Sequence, residues 1–183
     1  MARVRALRSD ARRNRERVLD IAREAFETDG LGVPIDDIAR RAGLGIGTLY
    51  RHFPTKQHLI AAIVDDRMQR LADEAESLVR DRDPGNAFLG FLDRLATELA
   101  RKRALGDAVT TVDMREVTMR ARDRLKTAFA TLLRRAQRAG AIRKDVEITD
   151  VIALVRATLP TPERSATASH RLLAVVRDGL RAD

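Results

Sequence analysis

The stretch GLGIGTLYRHF, residues 43–53, decides how this sequence is interpreted. Its three glycines fall within five residues, and Thr48 follows them. Such a cluster is typical of a phosphate-cradling loop in a nucleotide enzyme, or of a tight turn between two short helices that leads into DNA. A dinucleotide-binding loop needs a preceding strand and a third glycine. Here the preceding residues, IDDIARRAG, have a helical pattern, Thr48 holds the third position, and no Gly-Lys-Ser/Thr follows. The nucleotide interpretation is therefore excluded.

The same residues predict a helix-turn-helix. Gly43 ends the first helix with a positive φ, which glycine adopts without steric cost. The second helix, Gly47 to Phe53, buries Leu49 and Phe53, which are four residues apart. The other face of this helix carries the hydrogen-bond donors that suit a DNA major groove, namely Thr48, Tyr50, Arg51 and His52.

Residues 14–59 resemble the DNA-binding domain of the TetR family of bacterial transcriptional regulators. The matching segments are AREAFETDGL at the end of the first helix, the DDIARRAGLGIGTLYRHF core, and FPTKQHL at the start of the fourth helix. They cover about a quarter of the chain. The resemblance implies an N-terminal three-helix DNA-binding domain and a C-terminal helical domain that binds a ligand and dimerises.

The resemblance also implies a DNA-binding face, made of Ile46, Gly47, Thr48, Tyr50, Arg51, His52 and Lys56. Tyr50 and His52 are expected to contact phosphates, and Thr48 a phosphate or a base edge. Lys56, at the start of the fourth helix, is expected to hold the DNA backbone with its charge and its helix-end amide. Arg51 and Ile46 occupy variable positions of the family and are expected to set operator preference.

Three positions depart from the family pattern. Gly45 replaces the usual serine or threonine, so a hydroxyl cap or phosphate contact is lost there. Ile46 replaces a residue that is polar in many members, and it can touch only a thymine methyl group. Val33–Pro34 precede the second helix where members tend to have a threonine, so that phosphate contact is also lost, although proline suits the start of a helix.

Composition limits the alternatives. The chain has 183 residues, a net charge of +8 and no cysteine, which excludes disulfides, thiolate zinc sites and a cysteine nucleophile. No apolar run approaches the ~20 residues of a membrane span, and the arginine-rich N-terminus lacks the apolar core of a signal peptide. We therefore expect a cytoplasmic protein without a membrane partner. The basic balance favours a polyanionic partner, although many of these charges must lie on solvated helix faces.

Apolar residues recur with helical spacing along the whole chain, and no segment alternates as a strand does. We expect an all-α fold of about nine helices, three of them short and within residues 14–53. The expected domains are a basic N-terminal arm at 1–13, the helix-turn-helix domain at 14–60, and an effector-binding and dimerisation domain at 61–183. The arginines of the arm are compatible with a disordered tail or with additional DNA contacts.

The C-terminal domain carries no motif, so its roles come from the resemblance. The apolar faces at 148–159 and 165–181 are expected to form a four-helix bundle with a second subunit, or else to close the core of the monomer. The predicted dimer interface is Ile148, Val151, Ile152, Val155, Leu172, Leu173, Val176 and Leu180. A pocket is expected among the helices that cover 88–133, for an aliphatic or mixed-polarity effector. Its predicted walls, which could also be plain core, are Phe88, Phe91, Met114, Met119 and Phe129.

Enzymatic activity is not expected, because the sequence has no nucleophile–base set, no paired catalytic carboxylates and no cofactor loop. The three histidines are scattered without carboxylates at ligand spacing, so no metal site or cofactor is expected. The predicted function is a homodimeric regulator that binds a palindromic double-stranded DNA operator. Repression, the commoner mode of the family, is expected to be relieved by a small-molecule effector. The alternative is a DNA-binding regulator or architectural protein without an effector.

Overall fold

The computed structural model describes residues 2–104, 113–161 and 165–182, the side chains of 2–13, 102–104 and 113–118 excepted. Within these residues the fold is all-α, as predicted, and an isolated bridge pairs Ile142 with Arg181. The helices are α1 (Ala2–Thr28), α2 (Ile35–Arg41), α3 (Ile46–His52), α4 (Lys56–Leu78), α5 (Pro84–Ala104), α6 (Asp113–Arg138), α7 (Ile148–Thr158) and α8 (Ala166–Leu180).

The described residues contain eight helices, where about nine were expected. The helix α6 alone extends over 26 residues, because no glycine or proline interrupts the sequence between Asp113 and Arg138. At the other end of the chain, α1 begins at Ala2. The segment 1–13, expected as a separate arm, is thus helical from its second residue and continuous with the first helix of the DNA-binding motif.

The chain forms two compact units. The first consists mainly of the residues up to Val64, and the second begins at Asp65. The helix α4 contributes its first residues to the first unit and the remainder to the second.

The turn between α2 and α3 depends on the backbone of Gly43. Its φ is +66°, a left-handed conformation that is strained for residues with a Cβ. The amide of Gly43 donates to the carbonyl of Arg40 at 3.1 Å, and the amide of Leu44 donates to that of Ala39 at 3.0 Å. These two bonds define a Schellman cap. The chain therefore reverses within a few residues, and α3 starts at Ile46.

Each unit buries apolar side chains from several helices. In the first unit Ile38, Leu49 and Leu59 are fully buried on three successive helices. In the second unit Phe88 stacks on Phe129 with ring centroids 5.4 Å apart, and Phe91 tilts against Phe129 at 5.2 Å. Such aromatic pairs stabilise a core by about 0.5–1.5 kcal/mol beyond the area that they bury.

Side chains complete the helix ends of the second unit. Asp83 precedes α5 and accepts a hydrogen bond from the amide of Asn86 at 3.0 Å. The backbone and side-chain hydrogen bonds from Asn86 lower the pKa of the Asp83 carboxyl. Arg135 of α6 donates to the carbonyls of Val79 and Asp81 and so satisfies backbone groups just beyond α4. The second unit is thus held by polar contacts between helices as well as by its core.

The start of α5 packs unusually closely on the turn that follows α6. A Cβ atom placed on Gly85 would lie 2.6 Å from the Cβ of Ala141. Gly90, on the same helix, is exposed, and a Cβ there would meet no atom within 4 Å. The two glycines therefore provide a matched pair for a test of this contact.

We expect Gly90→Ala to raise the free energy of unfolding by about 1 kcal/mol, the usual helix-propensity gain. Gly85→Ala should instead lower it by about 1–3 kcal/mol, because the clash with Ala141 exceeds that gain. Urea unfolding followed by circular dichroism measures both. Equal stabilisation by the two substitutions would show that α5 does not approach the turn this closely.

Candidate nucleic-acid interface

The seven-residue helix α3 has one buried and one accessible side. Leu49 is fully buried, and Phe53, which ends the helix, is 2% exposed. Ile46 and Tyr50 are 50% and 41% exposed, an unusual position for large side chains that are mainly apolar. Gly47, Arg51 and His52 are exposed and Thr48 is half-buried. Of the predicted face, six residues thus lie on α3, and Lys56 is the first residue of α4.

The helices α2 and α3 both begin without a side-chain cap. Gly45 is the N-cap of α3 with φ −64° and ψ 138°, and Pro34 is the N-cap of α2, one residue before the helix. Neither makes a side-chain cap hydrogen bond. The side-chain hydroxyl groups of the family pattern are therefore absent at these two positions, and neither residue supplies another side-chain acceptor in their place.

Tyr50 is paired with an acidic residue on the neighbouring helix. Burial, together with a hydrogen bond to Asp36 and the charge of that carboxylate, raises the pKa of the Tyr50 phenol. Because the ordinary pKa of a tyrosine is already near 10, the hydroxyl is protonated at neutral pH and able to donate. Asp36 stands in the first turn of α2, where a carboxylate also interacts favourably with the helix dipole.

The start of α4 places a positive charge next to the same unit. The Nζ of Lys56 lies 5.7 Å from the centre of the Phe26 ring, a cation–π distance. Thr55 caps the helix, because its Oγ1 accepts the amide of His58 at 3.3 Å and lies 2.7 Å from the Nδ1 of the same residue. These contacts hold His58 at the start of α4, so the first turn of the helix, which includes Lys56, has a defined conformation.

The structure adds one residue that sequence reasoning did not assign to this face. The guanidinium of Arg15, on α1, lies over the Phe53 ring at 5.6 Å from its centre. The ring of His52 lies 6.3 Å from the same phenylalanine. Arg15 therefore adds a cation beside the end of α3. Its place among many arginines near the N-terminus gave no signal that this one packs on Phe53.

The predicted dimer residues divide into three groups by their exposure in the structure. Val151, Val155 and Leu180 are buried in the core of their own unit. Four more are partly buried against that core: Ile148, Ile152, Leu173 and Val176. Only Leu172 is substantially exposed, at 41%. Two apolar side chains that were not predicted share this exposure, Leu154 at 41% and Val175 at 68%. The exposed apolar side chains of α7 and α8 therefore include one residue of the predicted interface, Leu172, and two residues outside it.

The predicted pocket residues do not surround a common cavity. Phe88, Phe91 and Phe129 pack on one another in the core. Met119 is 53% exposed on α6, and the side chain of Met114 lies outside the described residues. A cavity of about 460 Å³ lies elsewhere in the second unit, between α5, the end of α7 and α8. None of the predicted wall residues lines it.

Among the described residues, no group of three or more His, Cys, Asp or Glu side chains could hold a metal ion. None of the helices, as far as the structure describes them, combines the length and the apolar character that a membrane crossing requires.

Known proteins resemble both parts of the chain. The model for the C-terminal domain of SbtR-like transcriptional regulators matches residues 83–182, and that for the tetR family of bacterial regulatory proteins matches residues 18–63. An HTH-type transcriptional regulator from Staphylococcus aureus is 39% identical over 59 residues, 32% of this chain. The aligned region spans only 32% of that relative's length.

Solved structures extend the similarity to nearly the whole chain. The TetR transcription regulatory protein from Mycobacterium vanbaalenii is 40% identical, with a TM-score of 0.77 over 96% of this chain and 99% of that protein. A TetR transcriptional regulator from Streptomyces coelicolor is 33% identical, with a TM-score of 0.73 over 92% and 98%. With both domain models matched and this similarity along its length, the chain belongs to the TetR family of bacterial transcriptional regulators.

Proposed function

We propose that this regulator binds a pseudo-palindromic DNA operator as a homodimer and is released from it by a small-molecule effector. The observation that carries the DNA-binding part is the exposure of Ile46 and Tyr50 on a helix whose other side is buried. An exposed recognition helix of this kind fits a major groove. A symmetric dimer would present two such helices about one helical turn of DNA apart, ~34 Å. As a regulator of bacterial transcription it would act in the cytoplasm.

The accessible groups of the face divide by chemistry into backbone and base contacts. Tyr50, His52 and Lys56 offer donors or positive charge that suit phosphate oxygens, which fix position and carry no sequence information. Arg51 can donate two hydrogen bonds to a guanine edge, and Ile46 can contact only the methyl group of thymine. Operator preference should therefore depend on Arg51 and Ile46 more than on the other residues.

Selection from a random duplex library with the full-length protein should yield a pseudo-palindrome with half-sites about one helical turn apart. Lys56→Gln and Tyr50→Phe should weaken binding to all selected sequences alike, and Lys56→Gln should reduce the salt slope by about 1. Arg51→Gln should instead change the selected sequence. Fluorescence anisotropy at several salt concentrations measures the affinities.

Lys126→Gln is the matched control, since Lys126 is an exposed lysine on α6, outside this face. Selection of no consensus at all would favour the architectural alternative over the regulator. Unchanged affinity in a double variant that lacks both Tyr50 and Lys56 side chains would show that the DNA face is elsewhere.

The pairing of Tyr50 with Asp36 gives a second prediction. Asp36→Asn removes a negative charge next to a phosphate contact and should tighten operator binding by about fivefold, the effect of one unit charge at 4 Å in water. It should also lower the pKa of Tyr50 towards its ordinary value, because the carboxylate that raises this pKa is gone. Tyr50 is the only tyrosine, so an absorbance titration reports it alone.

Asp37→Asn is the control for the same charge change on the same helix. Asp37 accepts a hydrogen bond from Arg40 at 2.5 Å. Asp37 is not among the groups that shift the pKa of the Tyr50 phenol. If both variants tighten binding equally, the effect is one of overall charge, and the specific role of Asp36 is wrong.

The exposed face of α7 and α8 supports the dimer. On α8, Ala168, Leu172, Val175 and Gly179 follow the spacing of a two-helix packing seam. Leu154 supplies an exposed apolar side chain on α7. Full burial of a leucine or valine contributes roughly 1.5–3 kcal/mol, and a two-fold interface buries each residue twice. This face is therefore the proposed interface. The other residues predicted for the interface pack on the core of the unit and hold α7 and α8 in place.

We expect Val175→Asp to convert the dimer to a monomer and to abolish tight operator binding, because it buries an unpaired charge at the seam. Light scattering after size-exclusion chromatography at micromolar concentration measures the mass. Thr167→Asp adds the same charge at another exposed position of α8 and should leave the dimer intact. A dimeric Val175→Asp protein would place the interface on another surface.

The helix α4 is proposed to carry the response to an effector. It begins with Lys56, and its second half is tied to α5 and α6 by ion pairs. Arg124 of α6 donates to Asp73 and Glu76, both at 2.8 Å, and these bonds raise the pKa of the guanidinium. Arg67 is 3.9 Å from Glu98 of α5, and both side chains are buried. A ligand that displaces α5 would therefore act on α4.

An effector needs only to prefer the state that cannot bind DNA. A hundredfold preference shifts the equilibrium by about 2.7 kcal/mol, and operator DNA must weaken effector binding by the same factor.

A further inference from the structure

The cavity between α5, α7 and α8 has the size and the shape of a ligand site. Its volume is about 460 Å³, within the ~300–1,000 Å³ typical of small-molecule pockets. Asp93, Thr97 and Arg101 line it from α5 at four-residue intervals, and Arg177 and His170 line it from α8. Arg177 bonds Asp93 at 2.7 Å. Burial raises the pKa of the Asp93 carboxyl, and electrostatic interactions with Arg177 and His170 oppose this rise.

This arrangement gives the cavity two polar ends and an apolar middle. The rise of 1.5 Å per residue separates Asp93 from Arg101 by about 12 Å. The Asp93–Arg177 pair stands at one end of this stretch of α5, with His170 near enough to interact with Asp93, and Arg101 stands at the other end. Small and apolar side chains form the wall between them: Ala96, Ala100, Leu159, Pro160, Leu173 and Ala174. A ligand that fits must therefore be elongated, with a mainly aliphatic body.

The charges of the lining residues favour an anion. Two arginines face one acid among the residues that line the cavity, and that acid is already bound by Arg177. A cationic ligand would have to displace Arg177 from Asp93. Arg101 is half-exposed and donates through one Nη1 to Glu98 at 3.1 Å. A guanidinium has five N–H donors in all, so Arg101 can also bind a ligand carboxylate.

A buried hydroxyl group in the wall is a second sign of a ligand. Ser169 is 5% exposed, lines the cavity, and its Oγ has no hydrogen-bond partner among the described residues. The other wall hydroxyls differ, because Thr97 and Thr158 donate to carbonyls of their own helices at 3.0 and 2.8 Å. A buried polar group without a partner is unfavourable, and a polar atom of a ligand would satisfy it.

We propose that this cavity is the effector site and that its ligand is a small organic acid, bound as a monoanion with its carboxylate at Arg101 and an aliphatic body along the apolar wall. That the ligand acts as an effector rests on the proposed function, whereas the class of the ligand rests on the cavity alone. Arg101 also binds Glu98, which pairs with Arg67 of α4. A carboxylate that competes for Arg101 therefore changes a buried ion pair on the helix that begins at the DNA face.

The test compares three eight-carbon probes whose extended length is similar to that of the cavity: octanoate, octanol and octylamine. Isothermal titration calorimetry with the full-length protein should show octanoate binding roughly ten- to a hundredfold more tightly than either of the others, the effect of a hydrogen bond to a charged group. Arg101→Gln should remove most of this advantage and leave octanol binding unchanged. Arg171→Gln removes one charge from α8 outside the cavity and should have no effect.

Ala174→Phe provides an independent test of the location. Ala174 is exposed at the cavity wall, so the larger side chain can fill the cavity without straining the core. It should abolish octanoate binding while the melting temperature stays within a few degrees. Octanoate binding that survives this substitution would overturn the site, and equal or tighter binding of octylamine would overturn the ligand class.

Operator binding, measured separately in the same protein, distinguishes the two proposals. Octanoate binding without any selected operator would leave the site intact and refute the proposed function. A selected operator with no preference for octanoate over octanol would do the reverse.

Discussion

The left-handed backbone of Gly43 is the constraint on which the DNA-facing part of the molecule depends. With φ at +66° the chain leaves α2 and reverses, and the two Schellman hydrogen bonds satisfy carbonyls that the helix end would otherwise leave free. A residue with a Cβ at this position would carry strain. The direction of α3 follows from this turn, and Leu49 and Phe53 then seat the helix on the core. Everything on the other side of α3 is left accessible as a consequence.

The helix α3 has no side-chain cap, and an acidic residue lies beside its accessible side. Gly45 provides no hydroxyl at the start of the helix, and Asp36 holds the Tyr50 hydroxyl in the free protein. Both features reduce attraction to phosphate. Arg15 and Lys56 act in the opposite sense, because each carries a positive charge held over an aromatic ring. If α3 is the DNA-binding helix proposed above, the strength of binding is set by opposing groups on α1, α2 and α4 around it.

The two roles proposed for α8 fall on different sides of the helix. The side that meets the core carries Val176 and Leu180, and the exposed seam with Leu172 and Val175 lies next to it. The residues that line the cavity, such as His170 and Arg177, fall on nearly the opposite side from the seam by the 3.6-residue repeat. A ligand in the cavity and a second subunit on the seam can therefore contact the same helix at the same time.

The sequence by itself determined the helical class and the helix-turn-helix around residues 43–53, and it predicts which residues of that motif face DNA. These depend on interactions over a few positions: glycine at a helix end, apolar residues four apart, and a cap such as Thr55. What only the tertiary structure decided was the division between core and surface in the C-terminal helices. Val175 and Val176 are adjacent and identical in type, yet one is 68% exposed and the other packs on the core. Periodicity shows that a helix has apolar sides, but the partner helices decide which side they cover. For the same reason the sequence did not show that Phe88, Phe91 and Phe129 pack on one another in the core, or that a cavity lies beside Arg101 and Ser169. Both depend on packing between distant segments, which local spacing does not encode.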